Sequence, residues 1–342
     1  MTQHLLIVGG YGHVGSLVAA ELVRRGHAVA VAGRDRARAE HTGAALGGAS
    51  AHIDVARPET WDAALEGASR VLVCIDQPDE AFARRVLERG LDYIDITASD
   101  RFFRRVETLG DLAERTGATA VLSVGLAPGL TNLLVREAAA SFEQAREAQI
   151  AIHLGLGDTH GRAAIAWMLD ELARASARPL REARFGLEAT TTPACPFDFA
   201  DQHVVQRTLG LQKAETLLSI ESAFWTRALV RSRSLLRPQA VRNFATSAFA
   251  AMPGLRLGSD RCAVAVEVHG SSRQHTTSRR AGFFGRNEGL VTAHVAAHVV
   301  DALPRVRRPG VHHIERLFTL ADLRETLTAA GGTTWLEGER VA

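Results

Sequence analysis

Three glycines near the start of the chain have the spacing of a nucleotide-binding turn. The apolar segment 4–8 leads directly into Gly10-x-Gly12-x-x-Gly15, and a helical apolar pattern follows. In such turns the backbone wraps a pyrophosphate at a helix N-terminus. We expect Gly10 to permit the tight turn, Gly12 to leave room for the ligand, and Gly15 to let the helix lie close on the strand. Unless this is a plain glycine-rich turn, it is a dinucleotide site formed by Gly10, Tyr11, Gly12, His13, Val14 and Gly15.

The residue that follows the second predicted strand indicates which dinucleotide is bound. Residues 28–32 form an apolar run, and Gly33-Arg34-Asp35 comes directly after it. Enzymes that use NAD usually place Asp or Glu here for the ribose 2′-hydroxyl, whereas a guanidinium suits a 2′-phosphate. Arg34 stands first and Asp35 lies one position too far along, so we predict NADP as the cofactor. The alternative is that Arg34 is a solvated charge in an arginine-rich chain.

Apolar runs alternate with amphipathic helical patterns up to about residue 125. Further strands are predicted at 51–55, 71–75, 93–96 and 120–124, with helices at 79–88 and 106–115. This alternation is typical of an α/β fold with a doubly wound parallel sheet, the Rossmann arrangement. Because ligands of such sheets lie beyond the carboxyl ends of the strands, further cofactor contacts are expected from Asp54, Val55, Asp76, Pro128 and Gly129.

The candidate catalytic residues do not include a lysine. Lys213 is the only lysine in the chain, and the Tyr-x-x-x-Lys pair of the short-chain dehydrogenases is absent. Asp95 ends a predicted strand and can bond a substrate amine, and Asn132 can position the cofactor amide or the substrate. Either water or a side chain of the second half of the chain, such as His160, is expected to deliver a proton. We therefore expect positioning to dominate catalysis.

The pattern changes after about residue 145. It predicts strands at 149–154 and 263–269, the second antiparallel to its neighbours, and a long helical region at 212–250 that includes Lys213 at its start. We expect a second α+β domain. The predicted division is a Rossmann domain over 1–130, to which a helix near 289–303 is free to return, and a substrate-binding and dimerisation domain over 131–342.

Composition excludes several classes of protein. The 342 residues are 46% apolar, and the net charge of +2 gives no case for nucleic acid or an anionic membrane as a partner. We see no signal peptide and no apolar run of membrane-spanning length, so a cytoplasmic location is expected. The cysteines are widely separated, and His294 and His298 have no evident third ligand, so no metal is expected.

Taken together, these segments resemble the saccharopine dehydrogenase-like reductases, the group that includes carboxynorspermidine and lysine dehydrogenases. The resemblance implies a Rossmann domain and a second domain with a mixed sheet. It implies an NADP-dependent oxidoreductase that reduces an imine, or oxidises an amine, of an amino-acid-derived small molecule. We also expect a homodimer, with its interface in the second half of the chain. Ser99-Asp100 and Asp76-Gln77-Pro78 depart from the family pattern and leave the substrate open. The motifs that carry the resemblance are the glycine turn, Gly33-Arg34-Asp35, residues 92–97 and, most distinctively, Gly125-Leu-Ala-Pro-Gly129 within 124–132.

A protein that is not an enzyme remains the alternative. The glycine spacing also fits NADP-binding redox sensors, which bind the cofactor and regulate a partner. Such a sensor does not need the segments around Asp95 and Pro128 in this arrangement. Oxidation of NADPH by a mixture of an amine and a 2-oxo acid distinguishes the two functions.

Overall fold

The structure is a computed structural model that describes residues 4–157, 162–174, 179–250, 258–272 and 275–337. The chain divides into two compact units. The first unit takes in Met1–Leu130 and Thr292–Thr319, and the second takes in Thr131–Val291 and Leu320–Ala342.

The strands of both units are numbered in chain order. They are β1 (His4–Val8), β2 (Val29–Gly33), β3 (Ala49–His52), β4 (Ala68–Val73), β5 (Asp92–Asp95), β6 (Thr119–Leu122), β7 (Gln144–Leu154), β8 (Arg181–Ala183), β9 (Thr192–Pro196), β10 (Lys213–Ile220), β11 (Arg261–Ser272), β12 (His275–Arg286), β13 (Gly310–His313) and β14 (Thr333–Leu336).

The helices are numbered in the same way. They are α1 (His13–Arg24), α2 (Arg36–Ala45), α3 (Trp61–Ala64), α4 (Ala81–Glu88), α5 (Asp100–Glu107), α6 (Gly110–Thr116), α7 (Thr131–Ala139), α8 (Arg162–Arg174), α9 (Ala200–Leu209), α10 (Ala223–Ser232), α11 (Gln239–Ala250), α12 (Glu288–Val306) and α13 (Leu320–Ala329). Short 3₁₀ turns lie at Pro58–Thr60, Arg233–Leu236 and Ile314–Arg316.

The first unit contains a parallel sheet in the order β13-β6-β5-β4-β1-β2-β3. Its central strands are nearly continuous apolar runs, with Leu6, Ile7, Val31 and Leu72 fully buried. Strands of this kind are typical of a parallel sheet that is covered on both faces. The predicted fold class of this unit, a Rossmann-type doubly wound sheet, is confirmed.

The second unit contains a mixed sheet in the order β14-β12-β11-β7-β10-β9-β8. Strand β10 pairs with β7 in parallel, and the other described pairs are antiparallel. Strand β11 is antiparallel to both neighbours, as predicted for 263–269. One face of this sheet carries the apolar side chains Val264, Val266 and Phe283, which are fully buried. The mixed sheet confirms the fold class of the second unit.

The predicted long helix over 212–250 is wrong. Its first part is β10, so Lys213 begins a strand, and the rest is α10, a 3₁₀ turn and α11. Leu217 and Leu218 suit a buried helix or a strand equally well. The segment is a strand because its backbone pairs with β7 and β9. Helix α10 begins after the strand because the Ser222 hydroxyl accepts a hydrogen bond from the Trp225 N–H at 3.4 Å.

Two smaller predictions about the first unit are also corrected. The third strand ends at His52 rather than at residue 55, so Asp54 and Val55 lie in the turn that follows it. The helix predicted over 106–115 is two helices, α5 and α6, of which the second ends at Gly117 in a left-handed conformation. Edge strands such as β8 and β14 were not predicted, because such short segments carry little periodicity.

An ion cluster joins α1 to α12 within the first unit. The buried Glu21 carboxylate accepts hydrogen bonds from Arg24 and Arg25, each at 2.7 Å, and Arg25 also donates to Asp301 at 2.6 Å. The Arg24 guanidinium is the main cause of the lowered pKa of Glu21, which is about 2. His294, raised above as a metal ligand, lies with its Nδ1 atom 3.5 Å from Glu21. It therefore belongs to this cluster.

Candidate functional site

The glycine turn is held by backbone hydrogen bonds at the carboxyl end of β1. The Gly9 N–H donates to Ala32 O at 2.7 Å, and the Gly12 N–H donates to Gly9 O at 2.8 Å. A Cβ on Gly15 would lie 2.2 Å from Gly9 O, so α1 can approach the turn only because residue 15 is glycine. Gly10 was expected to permit the tight turn, but the residue of the turn in the left-handed conformation is Gly9, at φ +80°. Gly10 is needed for space, because its Cβ would lie 2.9 Å from Ile7 O.

The N-terminus of α1 presents donors to a ligand. Gly12 is the N-cap residue with no side chain to cap the helix, and the first helical bond runs from Ser16 N–H to Gly12 O at 2.9 Å. The N–H groups of residues 13–15 therefore have no acceptor within the helix. The first turn carries no acidic residue, and His13 Nε2 is buried without a partner among the described residues. This helix end fits an anion such as a pyrophosphate.

The turn after β2 separates the roles of Arg34 and Asp35. The Asp35 Oδ1 atom accepts a hydrogen bond from the Arg38 N–H at 3.0 Å and so caps α2. That carboxylate faces the helix backbone rather than a ribose. The Arg34 side chain is exposed and has no ion pair within the described part of the chain. Of the two, Arg34 is thus the side chain that is free to meet a 2′-phosphate.

An open groove of about 310 Å³ lies beside this turn. The Arg38 guanidinium is 4.6 Å from the centre of the Tyr11 ring, in a cation–π contact. Tyr11 also accepts a hydrogen bond through its hydroxyl oxygen from the Asp35 N–H at 3.1 Å. A Cβ on Gly33 would lie 2.3 Å from the Tyr11 ring, so a larger residue there would displace the ring. The groove is lined by Tyr11, Asp35, Ala37, Arg38, His41 and Thr42.

Sequence reasoning missed Arg38. It stands four residues after Arg34, in the first turn of α2, and its position on the groove follows from the helix that Asp35 caps. An Asp at an N-cap accepts a hydrogen bond through its side chain from the N–H three residues later, and this pattern could have placed Arg38 in the first turn of a helix.

Asp54 is held in a tight turn after β3. Its Oδ1 atom accepts from the Ala56 N–H at 3.0 Å, and its backbone carbonyl accepts from Trp61 Nε1 at 3.0 Å. The Asp54 N–H donates to the Thr60 hydroxyl at 3.0 Å, and Val55 is buried. The turn is therefore fixed, and it follows the strand next to β2.

Asp95 is fully buried at the end of β5 and both of its carboxylate oxygens are bonded. Oδ1 accepts from the Thr97 N–H at 2.7 Å and from the Thr97 hydroxyl at 2.5 Å. Oδ2 accepts from Gln77 Nε2 at 2.8 Å and from the Tyr93 hydroxyl. Sequence reasoning gave Asp95 a direct contact with substrate, but its oxygens are occupied and inaccessible. Asp95 therefore fixes the loops after β4 and β5. Asp76, one residue before Gln77 in the first of these loops, is exposed.

Burial raises the pKa of Asp95 to about 6. The hydrogen bonds from Thr97 and Tyr93 oppose that rise, and the charge of Asp76 adds to it. In the unfolded chain Asp95 ionises near its ordinary pKa of 3.8, while in the folded chain it keeps its proton up to about pH 6. The unfolded state therefore binds fewer protons in this window, and the stability contribution of Asp95 falls as the pH rises.

We expect Asp95→Asn to remove this pH dependence. A shift of one pKa unit corresponds to about 1.36 kcal/mol. We therefore expect the wild type to lose about 3 kcal/mol of unfolding free energy relative to Asp95→Asn between about pH 4 and pH 7. Urea unfolding at a series of pH values measures the difference. The exposed Asp111→Asn is the matched control and should parallel the wild type. A constant difference between wild type and Asp95→Asn contradicts the assignment.

The loop after β6 is tightly built. Ser123 has φ +58°, Gly129 has φ +138°, and the Ala127–Pro128 peptide bond is cis. A Cβ on Gly129 would lie 2.9 Å from Ser123 O, so the close approach requires glycine. The Leu130 N–H donates to Gly125 O at 2.8 Å and closes the loop. Pro128 and Gly129 are buried at the carboxyl end of β6, the edge at which ligands of parallel sheets bind.

A buried hydrogen-bonded chain supports this loop, and sequence reasoning missed it. Ser123 Oγ lies 2.7 Å from His313 Nδ1, and His313 Nε2 lies 2.9 Å from Glu107 Oε1. His313 is the last residue of β13. This strand belongs to the first unit because the chain returns to that unit at residue 292. No local motif marks this serine–histidine pair, because the two residues are far apart in the sequence.

The remaining predicted residues lie in the second unit. Asn132 is fully buried in the first turn of α7, where Thr131 Oγ1 lies 3.4 Å from Asn132 Oδ1. His160 lies outside the described residues.

His153 is a further histidine of the second unit that sequence reasoning missed. It lies near the end of β7, with Nδ1 3.4 Å from Ser219 Oγ and its ring 5.5 Å from that of Phe185. Burial lowers the pKa of His153, and the nearby Glu221 opposes the shift. It neighbours Ala151 and Ala263 on the face of the sheet that carries small side chains. A neutral, half-buried imidazole of this kind can accept or donate a proton.

The described residues do not include a metal-binding cluster or a membrane-spanning helix. No group of three or more His, Cys, Asp or Glu side chains is placed to hold a metal ion there. Nor is any of the described helices long and apolar enough to cross a bilayer.

A glycine turn at a helix N-terminus, on a parallel sheet with an exposed arginine after β2, defines a dinucleotide-binding Rossmann unit. Residues 5–124 match the family model of the saccharopine dehydrogenase NADP binding domain. Over this segment, about a third of its length, the chain is similar to that family of NADP-binding domains. The resemblance and the cofactor predicted from the sequence, NADP, are both confirmed. A comparison with the curated proteins finds no match to the chain.

Solved structures extend the similarity of fold to both units. Apo saccharopine dehydrogenase (L-Glu forming) from Saccharomyces cerevisiae is 12% identical, with a TM-score of 0.63, and the match covers 99% of this chain and 100% of that one. C. glutamicum DAP dehydrogenase in complex with DAP is 15% identical, with a TM-score of 0.50 and coverage of 94% and 98%. An engineered D-amino acid dehydrogenase is 16% identical, with a TM-score of 0.51 and the same coverage. At these identities the similarity is one of fold.

Proposed function

We propose that this protein is an NADP-dependent oxidoreductase that reduces an imine, or oxidises an amine, of an amino-acid-derived substrate. The observation that carries the proposal is the pairing of two anion sites in the first unit. One is the open N-terminus of α1, and the other is Arg34, next to an Asp35 carboxylate that is committed to capping α2. This arrangement suits a pyrophosphate and a 2′-phosphate of one cofactor.

The proposed cofactor contacts follow the edge of the first sheet. Arg34 binds the 2′-phosphate, and Arg38 and Tyr11 form the wall of the groove beside it. Fixed turns after β3, β4 and β6 supply the other contacts. In full, the proposed set is Gly10, Tyr11, Gly12, His13, Val14, Gly15, Arg34, Asp54, Val55, Asp76, Pro128 and Gly129.

NADPH, when bound, supplies the hydride, so the protein's part is to position the reactants and exclude water. Asp95 is assigned a positioning role, because it holds Gln77 and Thr97 through hydrogen bonds and has no accessible oxygen. Asn132 is proposed to orient the substrate or the cofactor amide. The proton comes from water or from a histidine of the second unit. We propose His160 from the sequence, and His153, a half-buried imidazole near the end of β7, as a second candidate.

The substrate class follows the names of proteins with the same fold. Saccharopine dehydrogenase, DAP dehydrogenase and D-amino acid dehydrogenase are each named for an amino-acid substrate. Our proposal adopts that class for this chain. We further propose that the protein is a cytoplasmic homodimer. Light scattering tests this, because it measures the mass of the particle in solution.

A turnover assay tests the proposed reaction. With NADPH and mixtures of amines with 2-oxo acids, we expect loss of NADPH absorbance to depend on both organic components. Asn132→Ala should lower kcat at least tenfold, while NADPH affinity stays within a few fold, because the cofactor phosphates bind elsewhere. A melting curve establishes that the variant is folded, and the exposed Asn243→Ala is the matched control.

Two results would overturn this proposal. Tight binding of NADPH with no turnover on any amine and 2-oxo acid pair favours the redox-sensor function. Wild-type rates for Asn132→Ala remove that residue from the site.

A further inference from the structure

The second unit carries a surface of exposed aromatic and basic side chains that the proposed function does not use. It is formed by α10, the 3₁₀ turn Arg233–Leu236 and α11. We call it the basic aromatic surface and define it by Phe224, Trp225, Arg227, Arg231, Leu235, Arg237, Val241 and Phe244. Phe224 is 69% exposed, Leu235 68% and Phe244 76%. Large apolar side chains grouped in this way mark interaction surfaces.

The underlying elements are packed, so the exposure is not that of a loose segment. Thr226 is fully buried on the inner side of α10, where its hydroxyl donates to Ile220 O at 3.2 Å. Leu236 and Thr246 are buried beneath the 3₁₀ turn and α11. Phe224, Arg227 and Arg231 are three and four residues apart, so they share the outer face of α10.

The charge of this segment has one sign. Residues 222–259 contain six arginines, no lysine and no acidic residue. Arg242 is paired with Asp170 at 2.5 Å. Arg227, Arg231 and Arg237 are exposed, and within the described ranges they have no ion pair. The net charge of +2 for the whole chain conceals this local excess, which is why sequence reasoning excluded an anionic membrane.

We propose that the basic aromatic surface binds an anionic lipid bilayer. Phenylalanine, tryptophan and leucine enter the headgroup region of a bilayer, and arginines beside them bind lipid phosphates. Tryptophan has a particular preference for this interface, because one part of its ring is apolar and the other donates a hydrogen bond. The helices lie on the membrane and do not span it.

The one-sided charge argues against a second copy of the chain as the occupant. In a two-fold symmetric dimer the same surface meets itself. Arg227, Arg231 and Arg237 would then face their own counterparts, with no acidic residue between Glu221 and Asp260 to neutralise them. Anionic lipid supplies the missing negative charge, and its acyl chains accept the aromatic side chains.

Co-sedimentation with vesicles tests the proposal on the full chain. We expect binding to vesicles of equal parts phosphatidylcholine and phosphatidylglycerol, weak binding to phosphatidylcholine alone, and a loss of binding as salt rises. Trp225 is the one exposed tryptophan among the described residues. A blue shift of tryptophan emission on addition of the mixed vesicles, absent in Trp225→Phe, therefore locates the contact at this surface.

Two groups of variants separate the contributions of charge and apolar contact. The triple variant Arg227→Gln, Arg231→Gln, Arg237→Gln should lower vesicle affinity about a hundredfold, since each arginine near such a surface contributes about fivefold. Phe224→Ser with Phe244→Ser should lower it at least tenfold. The matched controls are Arg84→Gln, Arg101→Gln, Arg261→Gln and the exposed pair Leu187→Ser, Phe284→Ser. Melting curves and NADPH titrations should be unchanged in every variant.

Specific outcomes overturn the proposal. Vesicle binding that survives both groups of variants places the contact elsewhere. Binding to heparin with none to vesicles assigns the arginines to a soluble polyanion. A dimer that Phe224→Ser with Phe244→Ser dissociates, without vesicle binding, assigns the surface to a second copy.

Discussion

Replacing Gly12 with valine should leave the protein folded and abolish its binding of NADPH. Gly12 has φ −74° and ψ 173°, an extended conformation that any residue adopts, and its Cβ would contact only Gly9 O, at 3.1 Å. The branched side chain would, however, stand at the N-terminus of α1, in the space of the pyrophosphate. We expect at least a hundredfold loss of NADPH affinity, measured by titration of cofactor fluorescence.

Two other glycines control this experiment. Gly15→Val should lower the melting temperature strongly, because its Cβ would lie 2.2 Å from a backbone oxygen. Gly110→Val should change neither folding nor binding, because nothing lies within 4 Å of its Cβ position. A folded Gly12→Val variant with wild-type affinity for NADPH would show that the pyrophosphate site is elsewhere.

Replacing Arg34 with alanine should weaken NADPH binding by about ten- to a hundredfold. A hydrogen bond to a charged group contributes about 1.5–3 kcal/mol, and about 1.4 kcal/mol corresponds to tenfold in affinity. Binding of NADH should barely change, because NADH lacks the 2′-phosphate that we propose Arg34 binds. Titration of wild type and variant with both cofactors measures the difference.

The exposed Arg84→Ala, on α4, is the matched control for loss of one positive charge. It should bind both cofactors as the wild type does. Equal affinity of the wild type for NADPH and NADH would disprove the assigned role of Arg34.

The first unit could be predicted largely from the sequence because its determinants are local. The glycine spacing, the apolar runs of β1 and β4 and the order Arg34-Asp35 are read directly from consecutive residues. The exact strand ends could not be predicted, since pairing with neighbours decides them. Thus Asp54 lies in a turn rather than in β3.

The second unit was harder to predict because its elements are decided by distant partners. The stretch from Lys213 to Ile220 has no strong period, and it becomes a strand because β7 and β9 lie on either side. The burial of Asp95 was likewise invisible, since Gln77 approaches it from the loop after another strand. The position of His153 beside Ala263 also could not be predicted, because only the pairing of β7 with β11 shows it.

The pairing of β13 with β6 has a consequence for synthesis of the chain on the ribosome. Gly310 is the partner of Thr119 in the sheet, and the two are 310 − 119 = 191 residues apart. Until the segment around Gly310 emerges, β6 is an edge strand with unpaired backbone groups, which are prone to pair with other chains. Residues 131–291, which make up most of the second unit, are synthesised before that segment. Early folding of the first unit therefore leaves this sheet edge open until the segment around Gly310 has been made.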